Sequence, residues 1–346
     1  MHPRLVTLTV TFALACGCRG APPTLPPLSD DAFWRLSVSA SEPGGVFEHA
    51  DNLVSNESLY AEFARLIRRR GGAYIGVGPE QNFSYIARLE PAVAFVIDIR
   101  PDNRNLHLMY KALFEVSADR AGFLSRLFSR PRPLALSSNA SVDDLFSALE
   151  RERPSHELFE DTKRLIREQL MRTRRFPLTS ADTNVMDAAL HAFFTDGPDI
   201  RYGRSLPPSR MRPSYRTLMT ITDMWGNHHS YLASEQAFGI VKGLHTRNLI
   251  IPIVGDFAGP HAIRRVGDYI RANGLVVSAF YASNVEVYLT RTERRTFCAS
   301  METLPYDEGT HFIGNRRLVT VPEKLQACAA IQPSLIVPDG IGVSPP

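Results

Sequence analysis

Two short apolar runs joined through a glycine turn constrain this chain more than any other feature. Ala73-Tyr74-Ile75-Gly76-Val77-Gly78 carries a buried-type strand into a turn, and Ala92 to Ile99 (AVAFVIDI) is nearly continuous apolar sequence. A strand without polar alternation must be covered on both faces, the condition of a parallel sheet between layers of helices. Pro79 suits a first helical turn, where its missing N–H is not needed, and Phe83, Ile86 and Leu89 continue that helix. Leu106, Met109, Tyr110, Leu113 and Phe114 recur at helical spacing. Strand, helix, strand, helix with short connections predicts an α/β fold with a doubly wound, mostly parallel sheet.

The 346 residues are enough for one large core with a smaller helical lobe. Asp30 to Arg70 reads as helical and, with the strands that follow, makes a first half over 30–116. Residues 117–216 read as a helical insertion: Ser141 with Asp144 forms a capping box, and two further helices span Glu157 to Arg172 and Asp182 to Phe194. The insertion ends in an Arg/Pro-rich loop. Over 217–330 the sheet resumes, with strands expected at Leu218–Thr222, Asn248–Val254 (NLIIPIV) and Leu275–Tyr281. Pro252 weakens the middle one. Gly259-Pro260 opens a helix, and Thr310–Ile313 with Leu318–Val321 would close the sheet as antiparallel strands. A tail covers 331–346.

The N-terminus reads as an address. Arg4, an apolar run from Leu5 to Ala15 and the small residues around Cys16-Gly17-Cys18 describe a secretory signal over 1–18, too short to span a bilayer. Small residues before a cysteine also resemble a bacterial lipoprotein box, with Cys16 the expected lipidation site and Cys18 the alternative. A Pro-rich tether over 19–29 would join that membrane anchor to the body. The expected location is therefore the cell envelope. Cys298 and Cys328 would remain, free to pair in an oxidising compartment.

Net charge bounds the partners. With 39 basic and 36 acidic residues there is no excess to suggest a nucleic-acid surface. The run Arg201, Arg204, Arg210, Arg212 and Arg216 reads as a solvated loop or a phosphate contact. Adjacent His228 and His229 diverge, so no shared metal is expected. No P-loop, GxSxG or HExxH motif occurs.

Gly76 and Gly78 lie between a strand and a helix, and Asp98 ends the next strand about twenty residues on, the geometry of a nucleoside site. Glycines permit close backbone approach to a ligand, and a carboxylate there would accept ribose hydroxyls. The alternative is a tight turn with Asp98 capping the following helix. Glu80 stands where the shorter GxGxG pattern requires glycine and Gln81 where GxGxxG does, so neither pattern is complete.

YIGVGPEQN (Tyr74 to Asn82), FVIDIR (Phe95 to Arg100) and NLIIPIVGDFAG (Asn248 to Gly259) resemble the glycine loop, ribose carboxylate and fourth-strand acidic motif of class I S-adenosylmethionine-dependent methyltransferases. GVGPEQNFSYIARL, HLMYKALFE, VGDFAGP and SAFYASNVEVYL further resemble a family of bacterial proteins with that Rossmann-like fold and no assigned reaction. The resemblance implies S-adenosylmethionine as cofactor. Gly76 and Gly78 would then line its methionine part, Glu80 would pair with its ammonium and Asp98 would hold the ribose. Asp256 and Phe257 would lie at the sheet's carboxyl edge, unless Asp256 caps a helix. Tyr281, Ser283 and Asn284 would line the pocket. Export conflicts with a cytoplasmic cofactor, so the rival expectation is a non-catalytic envelope lipoprotein that binds another small molecule.

Overall fold

The computed structural model describes residues 24–47, 52–134, 136–204, 206, 212–314 and 316–330. The expected lipidation sites Cys16 and Cys18, Arg210 and the tail lie outside them. Six strands form one sheet: β1 (Ala73–Gly76), β2 (Val93–Asp98), β3 (Ile250–Val254), β4 (Val277–Ser283), β5 (His311–Gly314) and β6 (Arg317–Thr320). Their order is β3-β2-β1-β4-β5-β6, parallel throughout except for β6 against β5. This is the doubly wound order, with the chain's direction of travel reversing between β1 and β4.

Strands β1 to β3 are buried at every position and β4 at all but its last, which explains their unbroken apolar runs. Successive residues of β4 serve opposite layers. Phe280 packs edge-on to Phe297 of the Arg291–Glu302 helix, while Tyr281 meets Tyr85 of the Gln81–Leu89 helix. On the Tyr85 side, Phe83 sits at the hub of five rings: His107, Tyr110, Phe114, Tyr231 and His245, each tilted edge-to-face.

Several expectations are corrected. Leu218–Thr222 is not a strand: Tyr215–Thr220 is a helix capped by Ser214, and the sheet resumes only at Ile250. Among the described residues no strand of the sheet stands between β2 and β3, and the crossover from Pro101 to Thr246 is mostly helical. The short apolar run fitted either geometry, and the Ser cap decides it. NLIIPIV is consequently the third strand rather than the fourth, and it lies at the sheet's edge. Pro252 is tolerated there because an edge strand needs no N–H on its outer side. Of the closing strands only β6 is antiparallel, and Val321 begins a helix.

Asp30–Arg70 is not continuously helical. Helices cover Asp30–Ser39 and Tyr60–Leu66, and the chain from Ser37 to Glu42 is pinned across the edge of β3. Ser37 Oγ donates to the Pro252 carbonyl, Val254 N donates to Ser41 Oγ, and Glu42 N donates to the Val254 carbonyl. Of the expected tether, residues 24–29 are described, and they pack on the body. Leu25 and Leu28 pack against the core, Leu28 N donates to the Arg247 carbonyl, and Thr24 lies in a hollow with Arg70, Glu90 and Arg247. Those three residues precede β1, β2 and β3, so Thr24 sits at the sheet's amino edge.

Cys298 and Cys328 form a disulfide between the last two helices, with Cα atoms 6.0 Å apart. Among the described residues no helix is long and apolar enough to cross a membrane.

Candidate functional site

A cavity of about 250 Å³ opens at the carboxyl edge of the sheet, where the strand order reverses. The carboxyl ends of β1 to β4 supply its walls. Gly78 and Pro79 follow β1; Asp98 ends β2 and Arg100 follows it; Asp256 and Phe257 follow β3; Tyr281 and Ser283 end β4 and Asn284 follows it. Small-molecule sites span about 300–1,000 Å³, so the space suits one nucleoside-sized molecule better than a dinucleotide.

The glycines do different work. A Cβ at Gly76 would lie 1.9 Å from Asn82 Oδ1 and 2.6 Å from the Tyr74 hydroxyl, so this glycine admits a latch and does not face the cavity. In that latch Tyr74 donates to Asn82 Oδ1 at 2.9 Å, and Asn82 Nδ2 donates to the carbonyls of Val77, Gly78 and Pro79. Gly78 has φ +76° and borders the cavity, with nothing within 4 Å of where a Cβ would stand. Its carbonyl also accepts from Asn103 Nδ2 at 3.2 Å and lies 2.8 Å from His107 Nε2. Burial holds His107 down at about 4, despite that backbone contact. The ring is neutral at pH 7 and serves as part of the loop's support.

Glu80 is placed differently from the expectation. It is fully buried outside the cavity lining, and both carboxylate oxygens accept from Ser55 N at 3.1 and 3.2 Å. Burial pushes its carboxyl up to about 8, with the backbone bonds pulling the other way. It therefore anchors a wall rather than meeting a ligand's ammonium. That wall is made by Asn52, Ser55 and Asn56. They were missed in the sequence because they are small polar residues without periodicity, placed by a carboxylate 25 positions away.

Asp98 borders the cavity, but it is already engaged. Arg100 Nε and Nη2 each donate to it at 3.1 Å, and Arg100 N donates at 2.9 Å. The pair is buried, with side chains 7% exposed on both partners. Arg100 also reaches the Asn52 carbonyl at 3.3 Å and Asn103 Oδ1 at 3.4 Å, knitting the wall to the loop. The helix after β2 has no side-chain cap, so Asp98 does not cap it.

Asp256 caps no helix either. Its Oδ1 accepts from Ala258 N within the turn. The next helix begins at Ala262, two residues beyond Pro260, and Glu42 caps it by accepting from His261 N and Ala262 N. Phe257 stacks on Phe297 beneath the cavity.

The remaining candidates lie elsewhere. His228 contacts Asp143 at 3.1 Å and His229 contacts Asp223 at 2.9 Å, so the two rings serve different carboxylates. Among the described residues no cluster of metal ligands occurs. The arginine loop does have carboxylate partners: Arg204 pairs with Asp196 at 2.5 Å, and Arg216 pairs with Glu150.

Fold and cavity together define a doubly wound α/β protein with a small-molecule-sized site at its topological switch point. The chain belongs to the family described as a domain of unknown function (DUF7790), whose model matches residues 52–193 and 201–321. No protein of curated function matches it.

Proposed function

We propose that the cavity binds an S-adenosylmethionine-type ligand, on a methyltransferase-like variant of the fold with an unassigned methyl acceptor. The observation that carries this reading is the convergence of Gly78, Asp98, Asp256, Phe257 and Tyr281 on one nucleoside-sized space. Charge supports it: three carboxylates (Asp98, Asp256, Glu293) and one guanidinium line the cavity, which disfavours a pyrophosphate and suits a sulfonium. The protein's contribution would be to hold the methyl group against its acceptor. In a thermal-shift titration, S-adenosylhomocysteine is expected to raise the melting temperature saturably. The gain approaches about 2.7 kcal/mol at a hundredfold excess over Kd. Asp98→Asn is expected to abolish the rise, and its absence in the wild type at roughly millimolar ligand would refute the reading.

A second reading has its own support. The Cys298–Cys328 bond suits an oxidising compartment, where S-adenosylmethionine is not made, and Arg100 already occupies Asp98. On this reading the protein is an exported, membrane-anchored lipoprotein that binds a different small molecule. Radiolabelled palmitate is expected to label the wild type and not Cys16→Ser; an unlabelled wild type removes the anchor at Cys16 from this account.

A further inference from the structure

At the β4 corner of the cavity the chain departs from regular strand geometry. Ser283 is the last residue of β4 and has φ +48°, the left-handed region that disfavours a side chain. The β4–β5 register shifts between Tyr281 and Ser283, so the departure is a bulge at the cavity wall. A short helix, Val285–Tyr288, follows directly. Strain of this kind persists only where its surroundings enforce it, and it concentrates at functional sites.

The Ser283 hydroxyl is also polarised. Ser283 borders the cavity, and its Oγ donates to Glu57 Oε1 at 2.5 Å, across 226 residues of sequence, with Asn284 Oδ1 a longer contact at 3.4 Å. Glu57 is fixed in turn, because its N–H donates to Ser55 Oγ at 3.2 Å and Ser55 N is held by buried Glu80. Burial lifts the Glu57 carboxyl above its ordinary range, against the lowering pull of the Ser283 hydroxyl and Arg316. A raised carboxyl is a stronger base than an exposed one. Asn284 lies beside it on the cavity wall, with its Oδ1 3.4 Å from Ser283 Oγ and its Nδ2 3.5 Å from the Tyr288 hydroxyl.

We infer that Ser283 is the nucleophile, and Glu57 its base, of a cofactor-free hydrolysis of acyl esters in this cavity. Ser283 Oγ attacks the ester carbonyl carbon while its proton passes to Glu57 Oε1. Collapse expels the alcohol, which takes the proton from Glu57 and leaves an acyl-serine with Glu57 ionised again. Water then attacks the acyl carbon and gives its proton to Glu57. Ser283 departs with that proton, releasing a carboxylic acid. This chemistry needs only water, so it is open to an exported protein, and it stands apart from the S-adenosylmethionine reading.

The test is reaction of the full chain with a fluorophosphonate probe, read by intact mass and peptide sequencing. One adduct is expected, on Ser283. Glu57→Gln should slow its formation by about a hundredfold or more. Ser283→Gly should abolish it while leaving the melting temperature within a few degrees of wild type, since glycine accepts the left-handed backbone. Hydrolysis of p-nitrophenyl acetate should follow the same order across the three proteins. An unmodified Ser283 in the wild type overturns the inference, as does labelling that Glu57→Gln leaves unchanged. Binding of S-adenosylhomocysteine without an adduct sinks this inference alone; an adduct without such binding sinks only the earlier reading.

Discussion

Glu80→Gln is expected to make the protein more stable than wild type at pH 9 and to narrow or reverse that advantage at pH 5. The carboxyl is fully buried and held at about 8, above its ordinary 4.5. The groups that sense its charge are the phenols of Tyr60, Tyr110, Tyr215 and Tyr231, none of which can neutralise it. A raised carboxyl binds its proton more tightly in the folded chain than in the unfolded one. Its contribution is therefore complete below about pH 4.5 and is lost as pH rises through about 8. A change from 4.5 to about 8 corresponds to on the order of 5 kcal/mol. Glutamine offers the same oxygen to Ser55 N and no charge, so the variant should lack this slope. Urea denaturation of both proteins at pH 5, 7 and 9 measures it. Parallel stability curves would show that Glu80 is not a buried acid.

Reduction should cost nearly as much. The Cys298–Cys328 bond closes a loop across 30 residues of sequence. The entropy of that closure corresponds to about 3–4 kcal/mol of unfolded-state constraint. The loop contains β5, β6 and nearly all of the last helix. Strand β6 has no fully buried position, so little else holds it. The Cys298→Ser/Cys328→Ser double variant is expected to lose that stability in urea denaturation. Hydrogen exchange should rise first across 311–329 while β1 and β2 stay protected. A double variant as stable as the oxidised wild type would show that the bond carries no such constraint.

What the sequence revealed depended on how far apart the partners lie. Strands β1 and β2 were legible because burial on both faces writes an unbroken apolar run, and Asp98 followed from its place at the end of one. The capping boxes at Ser141 and Thr179 close within three residues, and the first could be read directly. The walls of the cavity could not. Glu42 organises the turn after β3 from more than 200 positions away, and Glu57 meets Ser283 across a similar span. Arg100 was visible beside Asp98 in FVIDIR, but residue spacing does not say whether a guanidinium folds back onto its neighbour or faces solvent. Leu218–Thr222 failed for another reason: a short apolar run fits a strand and a buried helix equally well. Asp30 to Arg70 reads as helical in the sequence because Leu59, Phe63, Leu66 and Ile67 recur at helical spacing near its end. That pattern continues only from Tyr60 onward.

The docking of Thr24 beside Arg70 and Arg247 fixes a polarity for the whole molecule. Strands of four to seven residues, at about 3.3 Å each, set Thr24 and the mouth of the cavity at opposite edges of the sheet. If the lipoprotein reading proposed above holds, the mouth would open on the side of the sheet opposite Thr24, and so opposite the anchored end.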